Sequence, residues 1–119
     1  MTERRKSRRV NSLESLPVRD RATGEVIGFV RDLSDHGMQI SGQGPFVVNR
    51  SYKLKLILLK PVMGTRQIEL GAVCKWKSKE THHKAFRAGF SFADISAENE
   101  LRILLLGAEY AVCAAEIEV

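Results

Sequence analysis

The sequence has little cysteine and no long apolar segment. Its 119 residues include two cysteines, Cys74 and Cys113, which are too few for a disulfide framework and indicate reduced thiols. No apolar run approaches the roughly 18 residues that a membrane-spanning helix requires. The N-terminus is basic but is not followed by an apolar segment, so it lacks the pattern of a secretory signal. We therefore expect a cytoplasmic protein with no membrane span.

Residue patterns typical of enzymes and metal sites are also missing. There is no Gly-rich phosphate loop, no paired-carboxylate arrangement and no Ser/His/Asp pattern. His82 and His83 are adjacent in a polar segment, but no third metal ligand accompanies them. Aromatic residues make up only 7% of the chain, which disfavours a single-stranded nucleic-acid binder that stacks bases on its surface. These absences argue against an enzyme and against a bound metal or other cofactor.

The positive charge is concentrated at the N-terminus. The chain carries a net charge of +5 at pH 7. Five basic residues lie within the first nine positions: Arg4, Arg5, Lys6, Arg8 and Arg9. With Glu3, this segment has a net charge of +4, which leaves the rest of the chain at +1. Proteins that bind duplex DNA usually spread positive charge over a docking face, so we expect no DNA partner.

Alternating apolar and polar residues predict a series of short antiparallel strands. The clearest runs are Tyr52 to Leu59 and Ile68 to Trp76, which are separated by a predicted break at Pro61 to Gly64. Shorter strands are expected at residues 16–19, 26–33, 38–41 and 86–92. So many short strands indicate a β-barrel.

The last part of the chain has a helical period instead. Ser96 is a suitable N-cap, and Leu101, Leu104 and Leu105 are spaced to cover one end or side of the barrel. We therefore predict a mainly β protein with three parts: a flexible basic arm over residues 1–13, a β-barrel over 14–95, and a C-terminal helix and tail over 96–119.

Two segments have side chains suited to an anionic, purine-bearing ligand. Arginines spaced as Arg-x-x-x-Arg in the arm offer planar groups that bind phosphates bidentately and stack on bases. In the turn Asp32-Leu33-Ser34-Asp35-His36-Gly37, the Asp32 carboxylate can accept two hydrogen bonds from guanine. Ser34 can meet a phosphate or fix the turn, and Gly37 tolerates a positive φ and close backbone approach. The structural alternatives are a solvated basic tail and an ordinary Asx-turn.

Taken together, the segments Arg5-Lys6-Ser7-Arg8-Arg9 and Asp32-Leu33-Ser34-Asp35-His36-Gly37 resemble the two signature motifs of PilZ domains, the bacterial cyclic di-GMP receptors. The resemblance extends to the strand carrying Trp76, to the strand at residues 88–92 and to the final helix. It implies a six-stranded antiparallel barrel followed by a C-terminal helix.

The resemblance also implies roles for individual residues. Arg5 and Arg9 are expected to bind the phosphates and stack on guanine, while Asp32, Ser34 and Gly37 recognise the other side of the nucleotide.

Other positions in the two segments are less determined. Arg4 and Arg8 fit the same spacing, so Arg8 is a possible further contact. An arginine at the position of Arg4 is associated with an intercalated ligand dimer, which implies two ligands per chain. For Trp76 two interpretations remain open: contact with the nucleotide, or packing inside the barrel beside Cys74.

The function that this resemblance implies is that of a cyclic di-GMP receptor. Ligand binding is expected to order the arm over the barrel and to signal to an unidentified effector protein. The alternatives are a ligand-independent protein-interaction adaptor of the same fold and, less favoured, a small single-stranded nucleic-acid binder.

Overall fold

Six antiparallel strands form a closed barrel, and a helix follows them. The computed structural model describes residues 16–79 and 85–118, with side chains through residue 107. The strands are β1 (Pro17–Asp20), β2 (Val26–Leu33), β3 (Gly37–Gly42), β4 (Ser51–Val62), β5 (Thr65–Lys79) and β6 (Phe86–Asp94), and the helix is α1 (Ala97–Glu118). The predicted fold class is confirmed.

The barrel closes because its first strand pairs with two partners. The strand order is β1-β2-β3-β6-β5-β4, and β1 pairs with both β2 and β4. Val18, for example, lies opposite Gly28 on one side and Leu56 on the other. Each of the six strands in the described residues therefore pairs on both sides, as in a fully closed barrel.

The apolar side chains of the alternating pattern seen in the sequence fill the barrel interior. Leu54, Leu56 and Leu58 of β4 are buried, as are Ile68 and the alternate residues that follow it as far as Cys74 in β5. Their side chains share a face because successive side chains in a strand point to opposite sides. This interior is the hydrophobic core.

The hairpin between β4 and β5 differs from its prediction. The strand does not end before Pro61 but continues to Val62. The register with β5 shifts between Ile57 and Val62, so the pairing is irregular around Pro61. A proline, which has no backbone N–H to donate, is tolerated in such an irregular segment. The turn itself is made by Met63 and Gly64, which have φ values of 50° and 82°.

The helix begins as predicted but buries a different face. Ser96 Oγ accepts a hydrogen bond from the backbone N–H of Asn99 at 3.1 Å, as an N-cap should. The predicted core-facing leucines, Leu101, Leu104 and Leu105, are instead 46–49% exposed. The residues buried against the barrel are Ile103, at 1% exposure, and Leu106, at 5%.

Polar contacts account for this orientation of the helix. Arg102 Nε donates to the Val62 carbonyl at 3.2 Å, and Arg102 Nη2 donates to the Met63 carbonyl at 3.1 Å. Asn99 Nδ2 donates to the Glu69 carbonyl at 2.9 Å. These bonds attach the start of α1 to the β4–β5 hairpin, so Ile103 and Leu106 face the core. In the part of the chain that the structure describes, no helix is long and apolar enough to cross a membrane.

Candidate functional site

A cleft of about 310 Å³ lies on the outside of the barrel beside the predicted turn motif. One wall is the turn between β2 and β3, including Asp32, Ser34 and Gly37. The other wall is formed by Lys75 and Trp76 of β5 with residues 89–91 of β6. Strand order explains the arrangement, because β3, β6 and β5 are neighbours in the barrel. The fold thus brings the turn motif and Trp76 together.

Ser34 holds the turn closed through its backbone and its hydroxyl. Its backbone N–H donates to the Gly37 carbonyl at 2.9 Å. Its hydroxyl oxygen lies 3.2 Å from the His36 nitrogen and 3.3 Å from the Gly37 nitrogen, accepting from both N–H groups. The hydroxyl also donates to the Gly37 carbonyl at 3.3 Å. Of the two roles considered for Ser34, the structure shows the one that fixes the turn.

Gly37 is required by close packing and not by its backbone angle. Of the two reasons considered for a glycine at this position, the structure shows the close backbone approach, since the positive-φ glycines are Gly24, Gly44 and Gly64. A Cβ at Gly37 would instead lie 2.1 Å from the Phe90 carbonyl oxygen. Only a residue without a side chain allows β3 to pair with β6 at this point.

Asp32 presents an exposed carboxylate to the cleft. Its Oδ1 accepts a hydrogen bond from the Leu33 backbone N–H at 3.0 Å. The register of β2 with β3 shifts between Val30 and Asp32, so the strand is irregular just before the turn. Irregularities of this kind re-aim side chains next to functional sites.

Trp76 lies on the outer surface of the barrel. The register of β5 with β6 shifts between Cys74 and Trp76, which pair with Phe90 and Gly89 respectively. The shift takes Trp76 off the buried face that Cys74 occupies, and its side chain is 40% exposed. The interpretation that Trp76 packs in the core beside Cys74 is therefore wrong.

Lys75 and Gly89 are among the cleft residues that had no predicted role in ligand binding. Lys75, the extra residue of the β-bulge, is exposed and brings a positive charge to the same wall as Trp76. Gly89 lies beneath the Trp76 indole. The only signal in the sequence was their proximity to Trp76 and to the run of aromatic residues in β6, and neither indicates a bulge.

Cys74 marks the inner side of this bulge. Its thiol is free and buried, and it donates to the Trp76 carbonyl across 3.6 Å. Burial raises the pKa of the Cys74 thiol, while the hydrogen bond and the nearby Lys77 oppose the shift. The neutral thiol therefore belongs to the core and not to the cleft.

The remaining predicted site residues, Arg4, Arg5, Arg8 and Arg9, lie outside the described residues. Among those that are described, no group of three or more His, Cys, Asp or Glu side chains is arranged to hold a metal ion.

Comparison with known proteins bears on the identity of this fold. The family model of the PilZ domain matches residues 3–107. Comparison with curated proteins gives no match. Among solved structures, the PilZ domain of YcgR from Escherichia coli, determined with c-di-GMP, has a TM-score of 0.63 at 16% identity. That match covers 85% of this chain and 84% of the other.

Two further solved structures are larger than this chain. The inhibitor of motility MotI/DgrA from Bacillus subtilis has a TM-score of 0.67 at 19% identity, over 82% of this chain and 46% of that one. MrkH from K. pneumonia in its apo state has a TM-score of 0.66 at 17% identity, over 85% of this chain and 48% of that one. This chain thus spans a little under half the length of these two proteins. The family match, whose range contains both the arginine segment and the Asp32 turn, shows that the chain belongs to the PilZ domain family.

Proposed function

We propose that this protein is a receptor for cyclic di-GMP that signals to an effector protein. The observation that carries the proposal is the convergence of the Asp32 turn, Lys75 and Trp76 on one exposed cleft. The YcgR domain of the same fold was solved with that nucleotide. The groups in the cleft suit a guanine: a carboxylate for its N1 and N2 donors, an aromatic ring for stacking and a cation for a phosphate.

The size of the cleft supports a role for the arm. At about 310 Å³, the cleft is at the lower end of small-molecule sites and is open to solvent. It would hold one end of a cyclic dinucleotide and leave the phosphates largely outside the barrel. Arg5 and Arg9 would bind those phosphates, and Arg8 could add a contact. Ordering the arm over the barrel costs conformational entropy, which charge-assisted hydrogen bonds and stacking offset.

The arm also bears on stoichiometry. We propose that Arg4, which precedes the motif, favours an intercalated ligand dimer, giving two ligands per chain. An Arg4→Leu variant should then bind one ligand while still binding selectively. A stoichiometry unchanged by this substitution would remove the role of Arg4.

Signal output follows from the change of surface. The ordered arm and its ligand would cover one patch of the barrel and expose a composite one, which an effector protein reads. The role is one of binding and not of catalysis, in keeping with the PilZ family. Because cyclic di-GMP is an intracellular messenger, its receptor would act in the cytoplasm.

The proposal is tested by calorimetric titration of matched variants. Asp32→Ala should abolish or greatly weaken binding, whereas Asp35→Ala should not, because Asp35 is in the same turn but does not line the cleft. In the arm, Arg5→Ala should weaken binding much more than Lys6→Ala, which removes the same charge between the motif arginines. Thermal melts should show each variant folded.

The titration results distinguish a cyclic di-GMP receptor from the alternative functions. Equal losses from the motif residues and their controls would indicate non-specific electrostatic attraction, which should also weaken steeply with salt. No binding by the parent protein would favour an adaptor that works without a ligand.

A further inference from the structure

The indole of Trp76 is seated on a glycine of the neighbouring strand. Trp76 and Gly89 are cross-strand partners in β5 and β6. A Cβ built on Gly89 would lie 2.1 Å from Trp76 Nε1, 2.4 Å from Cε2 and 2.8 Å from Cδ1. All three atoms belong to the five-membered ring, so that ring occupies the space that any side chain at position 89 would need.

The backbone of β5 that carries the indole is also held in place. The bulge at Lys75 takes Trp76 off the core face, and the Cys74 thiol donates to the Trp76 carbonyl at 3.6 Å. Cys74 itself is fully buried, so the bulge is anchored in the core. The backbone of β5 is anchored here, and Gly89 on β6 has no Cβ to occupy the space beside it. Together these two features determine where the indole lies.

This position is also part of the cleft. Trp76 and Gly89 line the same wall as Lys75, opposite the Asp32 turn. The side chain is 40% exposed, so the indole is held against the barrel while part of its surface remains available. An aromatic ring held in this way loses little freedom when a base stacks on it.

We propose that Gly89 is a positioning residue for ligand recognition, which acts by holding the Trp76 indole in its stacking orientation beside the cleft. This inference rests on the proposed function, because its effect is measured on cyclic di-GMP binding. A side chain as small as a methyl group at position 89 would push the indole out of the cleft wall. The base would then lose its stacking partner although Trp76 is still present.

The expected effect is a loss of affinity without a loss of fold. Gly89→Ala and Trp76→Ala should each raise the Kd by about 5- to 150-fold, the range expected when one base loses an aromatic stacking partner. Because both changes remove the same interaction, the double variant should bind no more weakly than Trp76→Ala alone. If the role of Gly89 were purely structural, Gly89→Ala would raise the Kd by the same factor whether Trp76 is present or replaced by alanine.

Fluorescence gives a second readout that needs no ligand. Trp76 is the only tryptophan in the chain, so the emission spectrum reports its surroundings alone. Gly89→Ala should shift that emission to longer wavelength as the indole moves into water. Gly71→Ala is the matched control, since Gly71 is also in a strand but its Cβ would lie 3.0 Å from the Asp94 side chain, outside this cleft.

The experiment combines emission spectra, thermal melts and cyclic di-GMP titrations of the full chain with the four variants. Non-additive losses in the cycle, a shifted emission for Gly89→Ala and an unaffected Gly71→Ala support the proposal. Parental emission and affinity in Gly89→Ala, or a Gly89 effect of full size in the Trp76→Ala background, would overturn it. Absence of binding by the parent protein would overturn the proposed function, while the ligand-free spectra would still decide whether Gly89 holds the indole.

Discussion

Substitution of Gly37 by alanine tests the packing that shapes the turn. In the structure the new Cβ would lie 2.1 Å from the Phe90 carbonyl oxygen, whereas ordinary contact begins at 3.4 Å. The strands β3 and β6 must therefore move apart by roughly 1 Å at this point. The hydrogen bond from the Phe92 N–H to the His36 carbonyl, now 2.9 Å long, would lengthen beyond a favourable distance.

The magnitude follows from these two effects. Overpacking against a backbone atom costs about 1–3 kcal/mol, and a lost hydrogen bond costs about 0.5–1.5 kcal/mol. We expect Gly37→Ala to lower the free energy of unfolding by about 2–4 kcal/mol, which is a large part of the roughly 5–15 kcal/mol of a typical domain. The midpoint of thermal unfolding should fall on the order of 10 °C.

The assay is chemical denaturation of the variant beside a matched control. Gly107→Ala is suitable because a Cβ at Gly107 meets nothing within 4 Å and the residue lies in α1. That control should be stabilised by up to about 1 kcal/mol, the difference in helix propensity. Unfolding free energies of Gly37→Ala and the parent protein that agree within error would refute the packing argument.

Two further predictions concern the helix and the core. Ile103→Ala should cost about 2–5 kcal/mol of unfolding free energy, whereas Leu104→Ala, on the exposed face of α1, should change it by less than about 1 kcal/mol; equal losses in denaturation curves would contradict the orientation of the helix. In a Cys113→Ser background, the Cys74 thiol should react with a thiol reagent only when the protein opens, because burial shields it and raises its pKa. The raised pKa also means that its contribution to stability is present at neutral pH and is lost at strongly alkaline pH, as the unfolded thiol ionises first; rapid labelling of the native protein would contradict this burial.

The barrel could be predicted from the sequence because its signal is local and repeated. Alternation in Tyr52 to Leu58 and in Ile68 to Cys74 identifies the buried face of two long strands, and the structure agrees. The two signature segments then indicated the family, which the family match confirms.

The sequence left two alternatives open at Trp76 and at Gly37, and in each case the structure decides between them through a neighbouring strand. Trp76 continues the spacing of Cys74, but the bulge at Lys75 moves it to the outer surface, and no periodicity contains that information. Gly37 has the same residue type whether the cause is a positive φ or a close backbone, so only the neighbouring strand distinguishes them.

The prediction of which face of the helix is buried was wrong for a different reason. Apolar residues occupy most positions from Leu101 to Leu106, so the sequence does not favour one buried stripe. The choice is made by Arg102 and Asn99, whose side chains bond to backbone carbonyls about 40 and 30 residues earlier in the chain. Contacts between residues so distant in sequence leave no local pattern.

Whether the protein is a receptor for cyclic di-GMP is best tested by isothermal titration calorimetry of the full chain with this nucleotide, with GTP and cyclic di-AMP as controls. We expect saturable binding that is selective for cyclic di-GMP, with a stoichiometry near two ligands per chain. Absence of heat and of competition at high ligand concentration, or equal binding of all three nucleotides, would contradict it.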